Sequence, residues 1–136
     1  GLFVEHFQKY QTLWNGERGR TYFYQNELPY DPPSQAAYMA GDRRGYAAYK
    51  VADHVDHHLA VGMGIYANFT ADPSIVLESA IQAPEKPDVQ FLDVTTISLG
   101  GGMGTIAHIV NDEGAAAKKG ATRQTLNRYP PKGAAK

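Results

Sequence analysis

The sequence predicts an all-β chain, and three observations carry that prediction. Residues 21–26, 59–69, 89–99 and 105–110 are rich in β-branched and aromatic side chains over strand lengths. Clusters of glycine, proline, asparagine and aspartate separate them. Residues 34–39 alone offer a helical turn, with Asp31 or Ser34 placed to cap it.

The opening run, Leu2-Phe-Val-Glu-His-Phe7, is short and apolar and embeds Glu5 among aromatic and branched neighbours. A turn cluster, Asn15-Gly-Glu-Arg-Gly19, leads to residues 21–26, where Tyr22 and Tyr24 alternate with Phe23, Gln25 and Glu27. Side chains two apart on a strand share a face, so Glu27 is expected beside Gln25. Asp31-Pro-Pro-Ser34, Gly41-Asp42 and Asp72-Pro73 mark further turns. The glycine run Gly100–102 lies between two predicted strands and reads as a hairpin turn. From Gly114 onward the chain holds Lys118, Lys119, Arg123, Arg128, Lys132 and Lys136, with no acid and no apolar periodicity. That stretch is expected to be an irregular strap or a disordered tail. The chain therefore divides into a folded β portion, 1–112, and an irregular basic tail, 113–136.

At 136 residues the chain has the length of one domain. A net charge of −1 provides no global field toward nucleic acid or a membrane. No apolar run approaches the ~18 residues of a membrane-spanning helix. The basic tail lacks the aromatic interleaving of a nucleic-acid platform. Absence of cysteine excludes a disulfide framework, a thiolate zinc site and a cysteine nucleophile. The chain starts at Gly1 rather than methionine and reads as a processed or partial chain. Asn68-Phe-Thr70 is an N-glycosylation triplet, making Asn68 a glycosylation candidate compatible with a secreted protein.

Two carboxylates in aromatic strands, Glu5 and Glu27, are the constellation that glycoside hydrolysis requires. One acid protonates the leaving oxygen while the other handles water or the sugar. Trp14, Tyr22, Tyr24, Tyr30, Tyr38, Tyr46 and Tyr49 crowd into the same first fifty residues. Flat rings can stack on sugar faces, and a phenol can hydrogen-bond to sugar oxygens. From this set Trp14, Tyr24, Tyr30 and Tyr46, with Gln25, are candidate substrate-binding residues. Rival motifs are weaker. His54, Asp56 and His58 would share a face on a strand as a metal trio, but no further ligand cluster completes it, and turn or rim roles suit them better. The glycine run lacks the lysine of a phosphate loop, and no Gly-x-Ser-x-Gly elbow is present.

Longer stretches carry a resemblance. Trp14-Asn-Gly, Tyr24-Gln-Asn-Glu-Leu-Pro-Tyr-Asp-Pro-Pro33, Gly45-Tyr-Ala-Ala-Tyr-Lys-Val-Ala-Asp53, Asn68-Phe with Pro73-Ser-Ile-Val76, and residues 94–101 resemble the carboxy-terminal portion of fungal exo-β-1,3-glucanases of glycoside hydrolase family 55. The similarity runs from Gly1 to about Asp112. It implies terminal coils of the second of two tandem right-handed parallel β-helices. It also implies cleavage of β-1,3-glucan such as laminarin from the non-reducing end, with inversion and with no metal or other cofactor. Under it Glu27 maps to the general acid and Glu5 to a residue that helps hold the attacking water. Family members are several times longer, so a missing amino-terminal part of the same enzyme is the implied partner, and secretion the implied location. Two other roles stay open for the chain itself: a non-catalytic β-glucan-binding module, or a structural end-piece of a larger solenoid.

Overall fold

The structure, a computed structural model, describes residues 1–131. Eleven strands form in chain order: β1 (Leu2–Glu5), β2 (Thr12–Trp14), β3 (Gly19–Glu27), β4 (Met39–Ala40), β5 (Arg43–Arg44), β6 (Tyr49–Val51), β7 (His58–Ala67), β8 (Val76–Gln82), β9 (Val89–Ser98), β10 (Thr105–Val110) and β11 (Arg123–Tyr129). One 3-10 turn, Gln35–Ala37, is capped by the Ser34 hydroxyl, which accepts from the Ala37 amide at 3.3 Å.

The strands sort into two main sheets. One has the order β1-β3-β7-β9-β11 and the other β10-β8-β6-β2, with β4 and β5 pairing apart from both. Strands β1, β3, β7 and β9 are parallel in sequence order, and so are β2, β6, β8 and β10. The chain thus alternates between two stacked parallel sheets, advancing one strand in each per circuit: a parallel β-solenoid. The core fills the space between the sheets. Tyr24, Tyr49, Phe69, Phe91, Ile65, Leu77, Ile81 and Ile106 are all fully buried there. Tyr49 lies at the centre, edge-on to Tyr24 at 5.2 Å and to Phe91 at 6.3 Å.

The first sheet bends at one register position in three successive strands. Tyr22, Val61 and Leu92 are in register, as are Tyr24, Met63 and Val94. The residues between, Phe23, Gly62 and Asp93, all take left-handed φ values of 64°, 71° and 53°. Strict alternation in β3 therefore fails at Phe23. Thr21 and Tyr24 are buried, whereas Tyr22 and Phe23 are both exposed. Gln25 and Glu27 do share the outer face.

Two expectations about connectivity are corrected. The glycine run does not close a hairpin, because β9 and β10 belong to different sheets. It turns a corner of the solenoid, and Gly100, Gly101, Gly102 and Gly104 supply φ values between 60° and 113°. The stretch 113–136 is likewise not an irregular tail over its described length. Strand β11 pairs antiparallel along β9, and short bridges set Ala117 against Ile106 and Glu113 against Val110. The free edges of β9 and β10 need backbone partners, and this segment provides them. Leu126 packs on the core and Tyr129 is only 5% exposed, lying 6.2 Å from the Phe91 ring. Lys132 and Lys136 lie outside the described residues.

Candidate active site

Glu5 and Glu27 are direct partners in the parallel register of β1 and β3. In β1, Leu2 and Val4 turn toward the core, leaving Phe3 and Glu5 outward. In β3, Gln25 and Glu27 face the same way. Adjacent strands stand ~4.8 Å apart, so two carboxylates rise side by side from one outer surface. The 22-residue spacing in sequence is one circuit of the solenoid.

Glu27 is held by hydrogen bonds from Tyr30, three residues on, and from His6 of the preceding circuit. Leu28, fully buried, anchors the chain after β3 by donating its amide to the Tyr66 carbonyl at 2.9 Å. Pro29 then turns the chain so that Tyr30 folds back. The Tyr30 hydroxyl donates to Glu27 Oε2. His6 reaches the same oxygen through Nε2 at 3.4 Å, and its ring lies 4.5 Å from that of Tyr30. His6 is placed by a left-handed backbone and by its amide, which donates to the Glu27 carbonyl at 2.9 Å. The Glu27 carboxyl, by accepting from the Tyr30 phenol, holds that phenol above its usual range; burial and the charges of Glu27 and Glu5 add to this, and the Asn68 side chain opposes it. Gln8 ties the neighbouring loops together by donating to Asp31 at 2.9 Å. Among the described residues, Glu27 Oε1 has no hydrogen-bond partner, so one carboxyl oxygen is held and the other is not.

Of the predicted substrate-binding residues, Tyr30 and Gln25 lie with the acids. Three do not. Tyr24 is 1% exposed and points inward, hydrogen-bonded to Thr12 and to the Ala48 carbonyl, both at 3.1 Å. Trp14 also turns to the core, stacked on Tyr49 at 6.3 Å and packed on His58 at 5.0 Å. The close approach of its indole to Gly19, where a Cβ would lie 2.2 Å from Nε1, shows how tightly it is seated. Tyr46 belongs to a separate aromatic cluster with Tyr10 and Tyr38, at ring distances of 5.2 and 5.9 Å. In each case aromatic packing of the β core claimed the ring.

Thr70 holds the Tyr30 carbonyl, through its amide at 2.9 Å and its hydroxyl at 3.2 Å, a contact that the sequence did not disclose because 40 residues separate the two. Phe3 and Phe23 were also missed as a pair. They are 64% and 58% exposed, 5.6 Å apart, and stand on the outer face that carries the acids. The histidine segment disperses. His54 bonds to the Asn15 carbonyl, Asp56 pairs with Lys86 at 2.8 Å, and His58 is buried. No cluster able to hold a metal occurs among the described residues.

Comparison with known proteins follows this geometry. A family model described as the LAM55 pectate lyase-like domain matches residues 1–27, the segment that contains both acids. A curated exo-β-1,3-glucanase from Streptomyces sp. (strain SirexAA-E / ActE) is 54% identical over 114 residues, 84% of this chain. The chain matches one segment of a bacterial exo-β-1,3-glucanase. That segment is 19% of the relative's length. The structure of sacteLam55A from Streptomyces sp. SirexAA-E superposes with a TM-score of 0.91 at 47% identity, covering 96% of this chain and 24% of that one. A glutamate-to-alanine variant of sacteLam55A in complex with glucose superposes equally well, at 46% identity. These relatives are bacterial, whereas the sequence motifs resembled fungal members.

Proposed function

We propose that this chain forms the acid-bearing part of an exo-β-1,3-glucanase, with Glu27 as general acid and Glu5 assisting the attacking water. The observation that carries the reading is the register of the two glutamates on one outer face, with Glu27 held through a single oxygen. Tyr30 and His6 fix Oε2, which leaves Oε1 to carry the proton toward the glycosidic oxygen. As that bond breaks, the proton passes from Glu27 to the departing glucan. Water adds to the anomeric carbon from the opposite face and gives up its proton toward Glu5. Inversion requires carboxyls ~6.5–9.5 Å apart, more than the strand spacing, so the two side chains must splay to admit the water. The flat rings of Phe3 and Phe23 offer apolar surface to a sugar beside the acids.

The match to a fifth of a longer relative supports action as a segment of a larger enzyme, whose preceding part supplies further polar groups at the water site. A polysaccharide substrate cut from its non-reducing end also suits an extracellular location. The test is glucose release from laminarin by the complete enzyme bearing this segment. Glu27→Gln should lower turnover ~10²–10⁴-fold with folding unchanged, and Glu5→Gln should slow it severely. A Glu27→Gln variant that keeps its turnover removes the residue from the mechanism. The exposed aromatic pair favours one other reading, a non-catalytic glucan-binding module. It predicts binding of laminarin that both substitutions leave intact, without turnover in the parent.

A further inference from the structure

The outer face that carries the acids continues beyond them. Glu5, Glu27 and Tyr66 follow one another in register on β1, β3 and β7. The next outward row runs through Phe3, Gln25, Gly64, Thr95 and Thr125, across β1, β3, β7, β9 and β11. Tyr66 joins the two rows. It lies between the buried Ile65 and Ala67, so its side chain stands on the outer face, where it is part-exposed. Its ring folds back along β7 over Gly64, where a Cβ would lie 2.9 Å from the phenol oxygen and 3.2 Å from the ring. Gly62 is left-handed at 71° and Gly64 is not, so the missing side chain at 64 seats the ring and does not bend the strand. Beyond Tyr66, the hydroxyls of Thr95 and Thr125 are hydrogen-bonded to each other at 3.1 Å on the exposed surface.

No residue of the second row is charged. A ring, an amide and two hydroxyls, set out at strand separations of ~4.8 Å, match a neutral, polyhydroxylated ligand that repeats along its length. We propose that this row is the track of the departing glucan. Tyr66 stacks on the glucosyl unit next to the scissile bond, and Gln25, Thr95 and Thr125 hydrogen-bond to the hydroxyls of that unit and of those that follow. Strand β7 stands next to the acid strand, whereas β9 and β11 lie ~10 and ~14 Å from it. Contacts are therefore added in strand order as the bound chain lengthens. The inference rests on Glu5 and Glu27 as the reaction centre and extends that reading to the sugars retained on the polymer.

The experiment follows kcat/KM of the full-length enzyme on laminari-oligosaccharides from the disaccharide to the pentasaccharide. A 2,4-dinitrophenyl β-glucoside, whose aglycone is too short to cross the sheet, is the control. Tyr66→Ala should lower kcat/KM ~5- to 20-fold on the trisaccharide and longer chains, and less than ~2-fold on the aryl glucoside. Thr125→Val should be felt only on the longest chains, by ~3- to 10-fold. If Tyr66→Ala impairs folding, Tyr66→Leu, which keeps apolar bulk without the flat ring, decides. An equal fall on every substrate, aryl glucoside included, overturns the track, because the ring would then only support the fold or a neighbouring part of the enzyme. No fall at any length overturns it too. Glu27→Gln should slow every oligosaccharide by one common factor, leaving the dependence on length intact. If it slows none while Tyr66→Ala removes the length dependence, the acid assignment fails and the track stands. The reverse pair of results removes the track alone. Calorimetric binding of the pentasaccharide in the Glu27→Gln background, which needs no turnover, should weaken with Tyr66→Ala by the same ~5- to 20-fold, and an unchanged Kd overturns the track.

Discussion

Acid should weaken the fold through one residue, His58. It opens β7, is 2% exposed, and packs against Trp14 at 5.0 Å and Phe91 at 6.0 Å. Its Nε2 meets the Tyr49 hydroxyl at 3.1 Å, and its Nδ1 is buried without a partner. Burial penalises the charged form and lowers the imidazole from 6.5 to about 4. Above pH 6.5 the ring is neutral in both folded and unfolded chains, and stability does not depend on it. Between pH 6.5 and about 4 the unfolded chain binds a proton that the folded chain refuses, so stability falls as pH falls. Below about 4 both states are protonated and the loss is complete. The gap between the two values corresponds to about 3 kcal/mol. Urea unfolding at closely spaced pH values, for the parent and for His58→Gln, measures it. Glutamine keeps a polar partner for Tyr49 but cannot titrate, so the difference between the two proteins should grow across that window. Parallel curves, or a His58 resonance titrating near 6.5 in the folded protein, would refute the argument.

Two further perturbations test the packing. A Cβ at Gly104 would lie 2.2 Å from the Phe69 ring at a φ of 94°, so Gly104→Ala should cost ~1–3 kcal/mol by overpacking, with backbone strain added; an unchanged urea midpoint would contradict the seating of Phe69. Asp93→Val places a branched residue at a left-handed bend and should cost ~1–2 kcal/mol, whereas Asp93→Gly should be near neutral. Equal effects of the two on the thermal midpoint would count against the bend.

The long central strands were legible because β-branched and aromatic residues dominate them, and the glutamate pair was legible because both acids lie in short aromatic runs. Strand β11 was not. Its sequence, Arg-Gln-Thr-Leu-Asn-Arg-Tyr, is mostly polar, as suits an outer strand of which Leu126 and Tyr129 reach the core. Trp14 and Tyr24 were misread for a related reason: an aromatic residue near a carboxylate in sequence can point to either side of a sheet, and in both the core had the stronger claim. The contact of Thr70 with the Tyr30 carbonyl was invisible because it depends on how two loops from successive circuits meet.

The left-handed residue at position 23 acts on β3 as a frameshift acts on a reading frame. Thr21 faces inward, so unbroken alternation would send Phe23, Gln25 and Glu27 inward as well. One residue spent on the bend moves the phase by one place: Tyr24, Asn26 and Leu28 take the interior, and Glu27 emerges on the outside beside Glu5. Gly62 and Asp93 make the same shift at the same register in the next two circuits, so neighbouring strands stay in phase. Where the acid faces is thus decided four residues upstream, by a backbone angle.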